Sequence, residues 1–168
     1  MYNPNKSNVM HFGNNLSTPV FTMYGKSLDF VHEYKYLGIV VAAGKQFSVS
    51  HVKPLIKFRS AANTVLNVQR KPSEQVLMKL LYTTCVPIIT YSCEADLYSA
   101  KQKNAINIAL NDATRRIFSY NRWESVRFLR LTMGYPSFTD ICYCRGVNFL
   151  QNLSTLGNPT LQSLSQLI

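Results

Sequence analysis

The sequence has few acidic residues, and no two of them are adjacent. Eight Asp and Glu side chains occur among 168 residues, and the nearest two, Glu94 and Asp96, are separated by one residue. Two-metal phosphoryl-transfer chemistry needs carboxylates that converge on ions about 4 Å apart. Glu94 and Asp96 follow a predicted helix, where a surface or loop role is the better interpretation. The residues therefore describe no self-sufficient active site, and we assign no metal ligand.

Patterns typical of other site classes are also missing. The four cysteines form no C-x-x-C pair and have no histidine at metal-ligand spacing, so a zinc site is not expected and buried free thiols are the default. The chain has no Gly-rich phosphate loop. Its most apolar run, residues 76–89, contains Lys79, which argues against a membrane span. With a polar N-terminus unlike a signal peptide, these absences predict a soluble intracellular protein of the nucleus or cytoplasm.

Basic residues, by contrast, are abundant and unevenly distributed. The chain carries 18 Lys and Arg, with a net charge of +10 and a pI of about 9.6. Thirteen of the 18 lie within residues 48–133. This concentration indicates a face that binds a polyanion, and the alternative is a basic surface that only keeps the protein in solution.

The first 47 residues have the short β-branched and aromatic segments of a small sheet. We predict strands at residues 9–13, 19–23 and 27–31, with Gly25 in the turn between the last two. Residues 34–41 are the longest strand candidate. Alternation along that strand would separate Tyr34, Tyr36, Gly38 and Val40 from Lys35, Leu37, Ile39 and Val41.

From residue 48 the periodicity becomes helical. Ser48 or Ser50 is expected to cap a first helix that runs to about residue 70, with an apolar stripe of Val52, Leu55, Ile56, Ala62 and Leu66. Residues 74–92 are apolar nearly all round, which predicts a buried central helix kinked or broken near Pro87.

Three further helices follow. Ser99 is expected to cap a third helix that runs to about residue 120, with a core stripe of Ile106, Leu110, Ala113 and Ile117. Asn121 with Glu124 resembles a capping box for a fourth helix, which Gly134 would end. Ser137 with Asp140 predicts a fifth, to about residue 153, with inward side chains of Phe138, Cys142, Phe149 and Leu153.

The predicted fold class is therefore α+β. A small antiparallel sheet of three or four strands in residues 1–47 would be followed by about five α-helices in residues 48–153. Residues 154–168 would form a C-terminal tail.

The basic helical region supplies the candidate nucleic-acid contacts. Interleaved with Asn and Ser, its cations suit contacts to the phosphate backbone and sugar better than base readout. Trp123 beside Arg122 could stack on bases, although a core anchor is the more common role of such a tryptophan. The candidate binding residues are Lys53, Lys57, Arg59, Asn107, Asn111, Arg115, Arg116, Arg122, Arg127 and Arg130.

Several motifs in order resemble those of reverse transcriptases from non-LTR (LINE-like) retrotransposons. Residues 3–13 resemble the palm segment called motif D, and residues 31–39 resemble motif E, the primer grip. Residues 87–94 are similar to the family's P-x-L-x-Y-G-x-E stretch. Residues 111–118 and 122–125 resemble the helical thumb that follows.

The resemblance implies roles for particular residues. Lys6 matches the motif D lysine, a candidate proton donor to the leaving pyrophosphate. The helices would close on an RNA or RNA–DNA duplex as a thumb domain does. A hairpin holding the primer 3′ end would be formed by Tyr34, Lys35, Tyr36, Leu37, Gly38 and Ile39.

The sequence departs from the family in its carboxylates. The Asp-Asp motif that holds magnesium in the full-length family enzyme would lie N-terminal to Lys6, where this chain begins. Glu94 matches the family's glutamate, but Ala95-Asp96 follow it in place of the usual aromatic residue. We therefore expect a truncated RNA-directed DNA polymerase fragment that grips a duplex, binds no cofactor and is inactive alone.

Two alternatives stay open. The chain could be a stand-alone helical nucleic-acid-binding module, which would bind tightly. It could instead be a non-functional interaction or structural remnant, whose apolar surface once contacted a missing palm. Self-association is expected in that case.

Overall fold

Two short antiparallel sheets lead into a set of helices, so the fold is α+β as predicted. The computed structural model describes residues 3–14, 19–69, 72–95 and 98–155. The described residues form two compact units, a sheet unit that ends at His51 and a helical unit that begins at Val52. Most of the predicted tail lies outside the described residues.

The first sheet is a hairpin of two very short strands, β1 (Thr22–Met23) and β2 (Lys26–Ser27). Tyr24 and Gly25 form its turn, with φ of 50° and 76°. Positive φ at both central residues suits the right-handed twist of the flanking strands. The predicted turn at Gly25 is confirmed, although both strands are shorter than predicted.

Residues 9–13 do not form the predicted strand. They make one isolated parallel bridge, in which Val9 N–H donates to the Asp29 carbonyl oxygen at 2.9 Å. Val31 N–H donates in turn to the Val9 carbonyl oxygen at 3.0 Å. Gly13 then takes a φ of 115°, outside the extended region. The composition favours a strand, but this change of direction ends the pairing.

The second sheet contains a hairpin where alternation predicts one long strand. β3 (Glu33–Tyr36) and β4 (Ile39–Ala42) pair antiparallel. Leu37 and Gly38 make the turn between them, with φ of 46° and 88°. A third strand, β5 (Ser48–Val49), pairs with the other edge of β4. The single strand was a wrong prediction.

The hairpin also changes which side chains share a face. Tyr34 lies opposite Val41, and Tyr36 lies opposite Ile39. Since directly opposed residues point to the same side of a sheet, the tyrosines share a face with these two apolar residues. Val40, predicted beside the tyrosines, lies on the other face and is buried. The two-residue turn shifts the alternation, so the odd-numbered residues of β4 share a face with the even-numbered tyrosines of β3.

Replacing Gly38 with valine should lower the free energy of unfolding by about 1–2 kcal/mol, because a β-branched residue is strained at a φ of 88°. Denaturant titration of the whole chain would measure this loss. Leu37→Asn is the matched control, since asparagine tolerates positive φ and should leave stability equal or higher. Equal losses in the two variants would contradict the turn geometry.

The first helix, α1 (Val52–Leu66), starts later and ends earlier than predicted. β5 takes residues assigned to the helix, so the boundary predicted at residue 47 lies after His51. α1 buries Phe58 and Ala62. Two residues of the predicted stripe are exposed because Phe58 takes the inward position; they are Val52 and Ile56.

The central helix is buried as predicted, and it is interrupted by a π-helical turn. α2 (Glu74–Leu80) passes through this turn at Leu81–Cys85 into α3 (Val86–Thr90). Pro87 has no N–H to donate, so the regular ladder cannot continue through it. This continuous helical segment is buried along one face through Met78, Leu81, Cys85, Val86 and Ile89, whereas Val76 is 46% exposed.

The third helix, α4 (Ala100–Ile117), matches its prediction closely. Ser99 accepts from Gln102 N–H, and the Gln102 side chain accepts from Ser99 N–H, which completes a capping box. The predicted core stripe is confirmed, with all four members buried: Ile106, Leu110, Ala113 and Ile117.

The fourth helix is much shorter than its capping signal suggests. The Glu124 carboxylate does accept from Asn121 N–H at 2.6 Å, but residues 121–126 form a turn. α5 (Arg127–Thr132) begins only after it. The prediction of its end is confirmed, since Gly134 follows with a φ of 73°.

The last described helix, α6 (Phe138–Thr155), begins at the predicted cap. Ser137 N–H and hydroxyl both donate to the Asp140 carboxylate, which lowers the pKa of that carboxyl. Phe138 and Cys142 are buried as predicted, but Phe149 is 43% exposed. None of the described helices has the length and apolar character needed to cross a membrane.

Candidate nucleic-acid interface

The predicted primer-grip residues lie together in the β3–β4 hairpin. Leu37 and Gly38 occupy the turn, and Tyr36 and Leu37 are 62% and 73% exposed. Exposed aromatic and aliphatic side chains at a tight turn form a tip that a ligand can contact. The role of this tip in holding a primer stays a prediction.

Lys6 lies at the exposed end of a short 3₁₀ turn, Pro4–Lys6. Asn3 starts the turn, because its side-chain oxygen accepts from Asn5 N–H at 2.9 Å. The Asn5 side chain in turn accepts a hydrogen bond from Lys26. The turn is therefore anchored while the Lys6 ammonium is exposed; its role as a proton donor stays a prediction.

The exposed cations of the helical unit form the clearest part of the candidate interface. Among the predicted contact residues that are exposed, five make no ion pair with a carboxylate of the described chain, and we call them the five free cations: Lys57, Arg59, Arg116, Arg122 and Arg127. Lys53 is exposed as well. Cations that are not held in an ion pair are available to an external anion.

Three predicted contact residues on α4 are used inside the fold instead. Asn107 accepts from Phe138 N–H at 3.0 Å and donates to the Thr139 hydroxyl at 2.7 Å. It thereby satisfies a backbone donor in the first turn of α6. The Asn111 side-chain oxygen is buried without a hydrogen-bond partner.

Arg115, the third of them, holds the turn that follows α4. Its Nε donates to the Glu124 carbonyl oxygen at 2.8 Å, and its Nη1 pairs with the Asp112 carboxylate at 2.8 Å. The Arg115 side chain is only 18% exposed and its charge is already paired, so it has little capacity left for phosphate. We therefore place Asn107, Asn111 and Arg115 outside the interface.

Arg130 is also internal, and only 8% of it is exposed. Its Nε and Nη1 are buried without hydrogen-bond partners, and its positive charge lies close to the Tyr82 hydroxyl. Burial raises the pKa of Tyr82 to about 12, although Arg130 opposes that rise. The Tyr82 hydroxyl donates to the Pro136 carbonyl oxygen at 2.8 Å. Arg130 is thus part of the interior and not of a binding face.

Arg130→Met should leave nucleic-acid affinity and its salt dependence unchanged. It should raise the free energy of unfolding by about 1–3 kcal/mol, because an apolar side chain replaces a buried charge whose Nε and Nη1 have no hydrogen-bond partners. Arg122→Met is the matched control on the exposed side. It should reduce the dependence of log affinity on log salt by about one unit. If Arg130→Met reduced the salt dependence of affinity by a similar amount, Arg130 would have to be counted among the phosphate contacts.

Trp123 lies in the turn before α5 and is 83% exposed. The core-anchor interpretation is therefore wrong. It assumed that Trp123 starts an amphipathic helix, whereas residues 121–126 form a turn that points the ring outward. Stacking on a base stays a prediction for this ring, next to the exposed Arg122.

Phe128 and Leu131 are exposed features that the sequence reasoning missed. They are 77% and 64% exposed and lie one turn apart on α5. With six residues, α5 is too short for a periodicity that would show which side faces the core. No signal in the sequence would have identified this apolar face.

No family model, curated protein or solved structure matches this chain.

The described residues do not fit the magnesium ions that the resemblance to reverse transcriptases would imply. Among them, no three His, Cys, Asp or Glu side chains come together. Glu94 pairs with Arg145 at 3.3 Å, and Arg145 also donates to the Thr90 carbonyl oxygen. Asp96 lies outside the described residues. We therefore derive no step through a metal ion.

Of the thiols, Cys85, Cys93 and Cys142 are buried as predicted, and Cys144 is exposed.

Proposed function

We propose that this chain binds nucleic-acid duplexes through its helical unit, in the manner of the thumb segment of a retrotransposon-type RNA-directed DNA polymerase. One observation carries the proposal: the five free cations are exposed on one unit and form no ion pair with a carboxylate of the described residues. Such groups bind a phosphate backbone favourably, because each contact releases condensed counterions.

Backbone binding is favoured over base readout. Four of the five free cations are arginines, whose planar guanidinium donates two parallel hydrogen bonds to a phosphate. Side chains that would suit base edges, Asn107 and Asn111, are turned to internal contacts or buried. Binding should therefore depend strongly on salt and weakly on sequence.

A fluorescence titration would test this proposal directly. Trp123 is the single tryptophan of the chain and is exposed, so its emission should change when a blunt RNA–DNA duplex binds nearby. The apparent affinity should decrease steeply with added salt. The control is a duplex of the same sequence whose backbone carries no charge. If no duplex binds even at low salt, the basic surface has only a role in solubility.

The proposal includes binding without extension. The eight acidic residues contain no adjacent aspartates, so we expect no nucleotide incorporation by the purified chain on a primed RNA template with magnesium. Measurable incorporation above a no-enzyme control would overturn this part.

A second candidate function is protein interaction, and the apolar face of α5 favours it. Phe128 and Leu131 expose large apolar side chains of a kind that marks association sites when they are contiguous. This function predicts self-association that light scattering would detect, and Phe128→Ser with Leu131→Ser should abolish it. A monomer that binds duplex would favour the first proposal.

A further inference from the structure

The helical unit has a cleft between α1 and α4, and two of the five free cations line it. Small side chains where the helices meet, among them Ala62 and Ala109, leave a recess of about 170 Å³. A single water needs roughly 10–15 Å³ by the same measure, so the recess can hold a hydrated group. Its polar lining consists of Arg59, Asn63, Asp112 and Arg116.

The charge balance of this cleft favours an anion. Asp112 is its only acidic lining residue, and that charge is already compensated by Arg115 at 2.8 Å. Arg59 has no hydrogen bond or ion pair within the described part of the chain. Arg116 likewise forms no ion pair with a carboxylate of the described residues. Two guanidinium charges therefore line the recess without compensation.

Arg116 is already oriented toward an oxygen acceptor in the cleft. Its Nη1 donates to the Asn63 side-chain oxygen at 2.6 Å, across from α4 to α1. A phosphate oxygen carries negative charge, so it attracts the Arg116 guanidinium more strongly than the neutral amide oxygen of Asn63 does. An entering phosphate can therefore replace the Asn63 oxygen with a gain in interaction.

We propose that this cleft holds one phosphate group of the bound strand, with Arg59 and Arg116 as its two charged ligands. The inference rests on the proposed duplex binding and adds a fixed position to it. The other free cations would make mobile surface contacts, whereas the cleft fixes the strand relative to α1 and α4.

Ethylation interference would test the position. In this experiment the duplexes are just long enough to bind one chain, so that their ends and not their sequence set the register; they carry random phosphate ethylation and are sorted by binding to the whole chain. The wild-type protein should reject duplexes ethylated at one dominant phosphate. Arg59→Gln should lose that rejection and weaken affinity roughly tenfold or more, as expected for a charge-assisted hydrogen bond.

The matched control is Arg122→Gln, an equal loss of charge outside the cleft. It should keep the dominant position and weaken affinity by no more than about fivefold, as expected for an exposed charge. Asn63→Ala keeps both cleft arginines and should keep the dominant position too. Arg59 has no described partner, so Arg59→Gln should fold normally, and a thermal melt would verify this.

The outcomes separate the two proposals. If the wild-type chain binds the duplex but Arg59→Gln behaves like Arg122→Gln, the cleft is not a phosphate site and duplex binding survives. If the wild-type chain does not bind the duplex, the proposed function fails, and the inference that rests on it fails with it.

Discussion

Replacing Phe138 with alanine should lower the free energy of unfolding by about 3–5 kcal/mol. Phe138 is fully buried at the start of α6 and packs edge-on against Tyr98, with ring centroids 6.1 Å apart. Truncation would remove its buried apolar surface and leave a cavity that close-packed neighbours fill only in part. Native domains are stable by only about 5–15 kcal/mol, so much of the stability would be lost.

The same substitution at Phe128 is the matched control. Phe128 is 77% exposed, so Phe128→Ala should change stability by no more than about 0.5 kcal/mol. Urea denaturation followed by circular dichroism would compare both variants with the wild-type chain. Similar losses at the two positions would mean that the burial pattern of α5 and α6 is wrong.

Local signals in the sequence predicted much of this fold. The caps of α4 and α6 were predictable because Ser99 and Ser137 satisfy backbone donors with partners only three residues away. Such contacts need no knowledge of the rest of the chain. The core stripe of α4 was predictable for a related reason, since 18 residues contain several repeats of the helical period.

Features that depend on distant packing were not predictable. Trp123 is exposed and Arg130 is buried, which is the opposite of what their residue types suggest. The turn at residues 121–126 decides both, because it shortens α5 and sets which side faces inward. Asn121 and Glu124 make the same capping contact in a turn that they would make in a helix.

In the candidate interface, too, local spacing was predictable and contacts between distant residues were not. Spacing of four residues correctly placed Asn107, Asn111 and Arg115 on one stripe of α4, but it could not show whether that stripe meets water or protein. Two of the three instead contact residues beyond α4. The cleft between α1 and α4 was equally hidden, because Arg59 and Arg116 are 57 positions apart in the sequence.

Removing the charge of the five free cations should nearly abolish salt-dependent duplex binding. If each neutralises one phosphate, log affinity should decrease with log salt with a slope of about −4.5, and affinity should decrease roughly 500-fold between 50 and 200 mM salt. The variant that replaces all five with glutamine should lose most of this slope. Titrations at several salt concentrations, monitored by Trp123 emission, would measure it.

A charge-preserving variant separates the effect of charge from that of shape. Replacing Lys57 with arginine and the four arginines with lysine keeps every positive charge, so the slope should stay near that of the wild-type chain. The affinity should still decrease, because lysine cannot make the paired hydrogen bonds of arginine to phosphate. If the glutamine variant keeps the wild-type slope, then other cations neutralise the phosphates, and the exposed Lys53 and Lys101 are the next to replace.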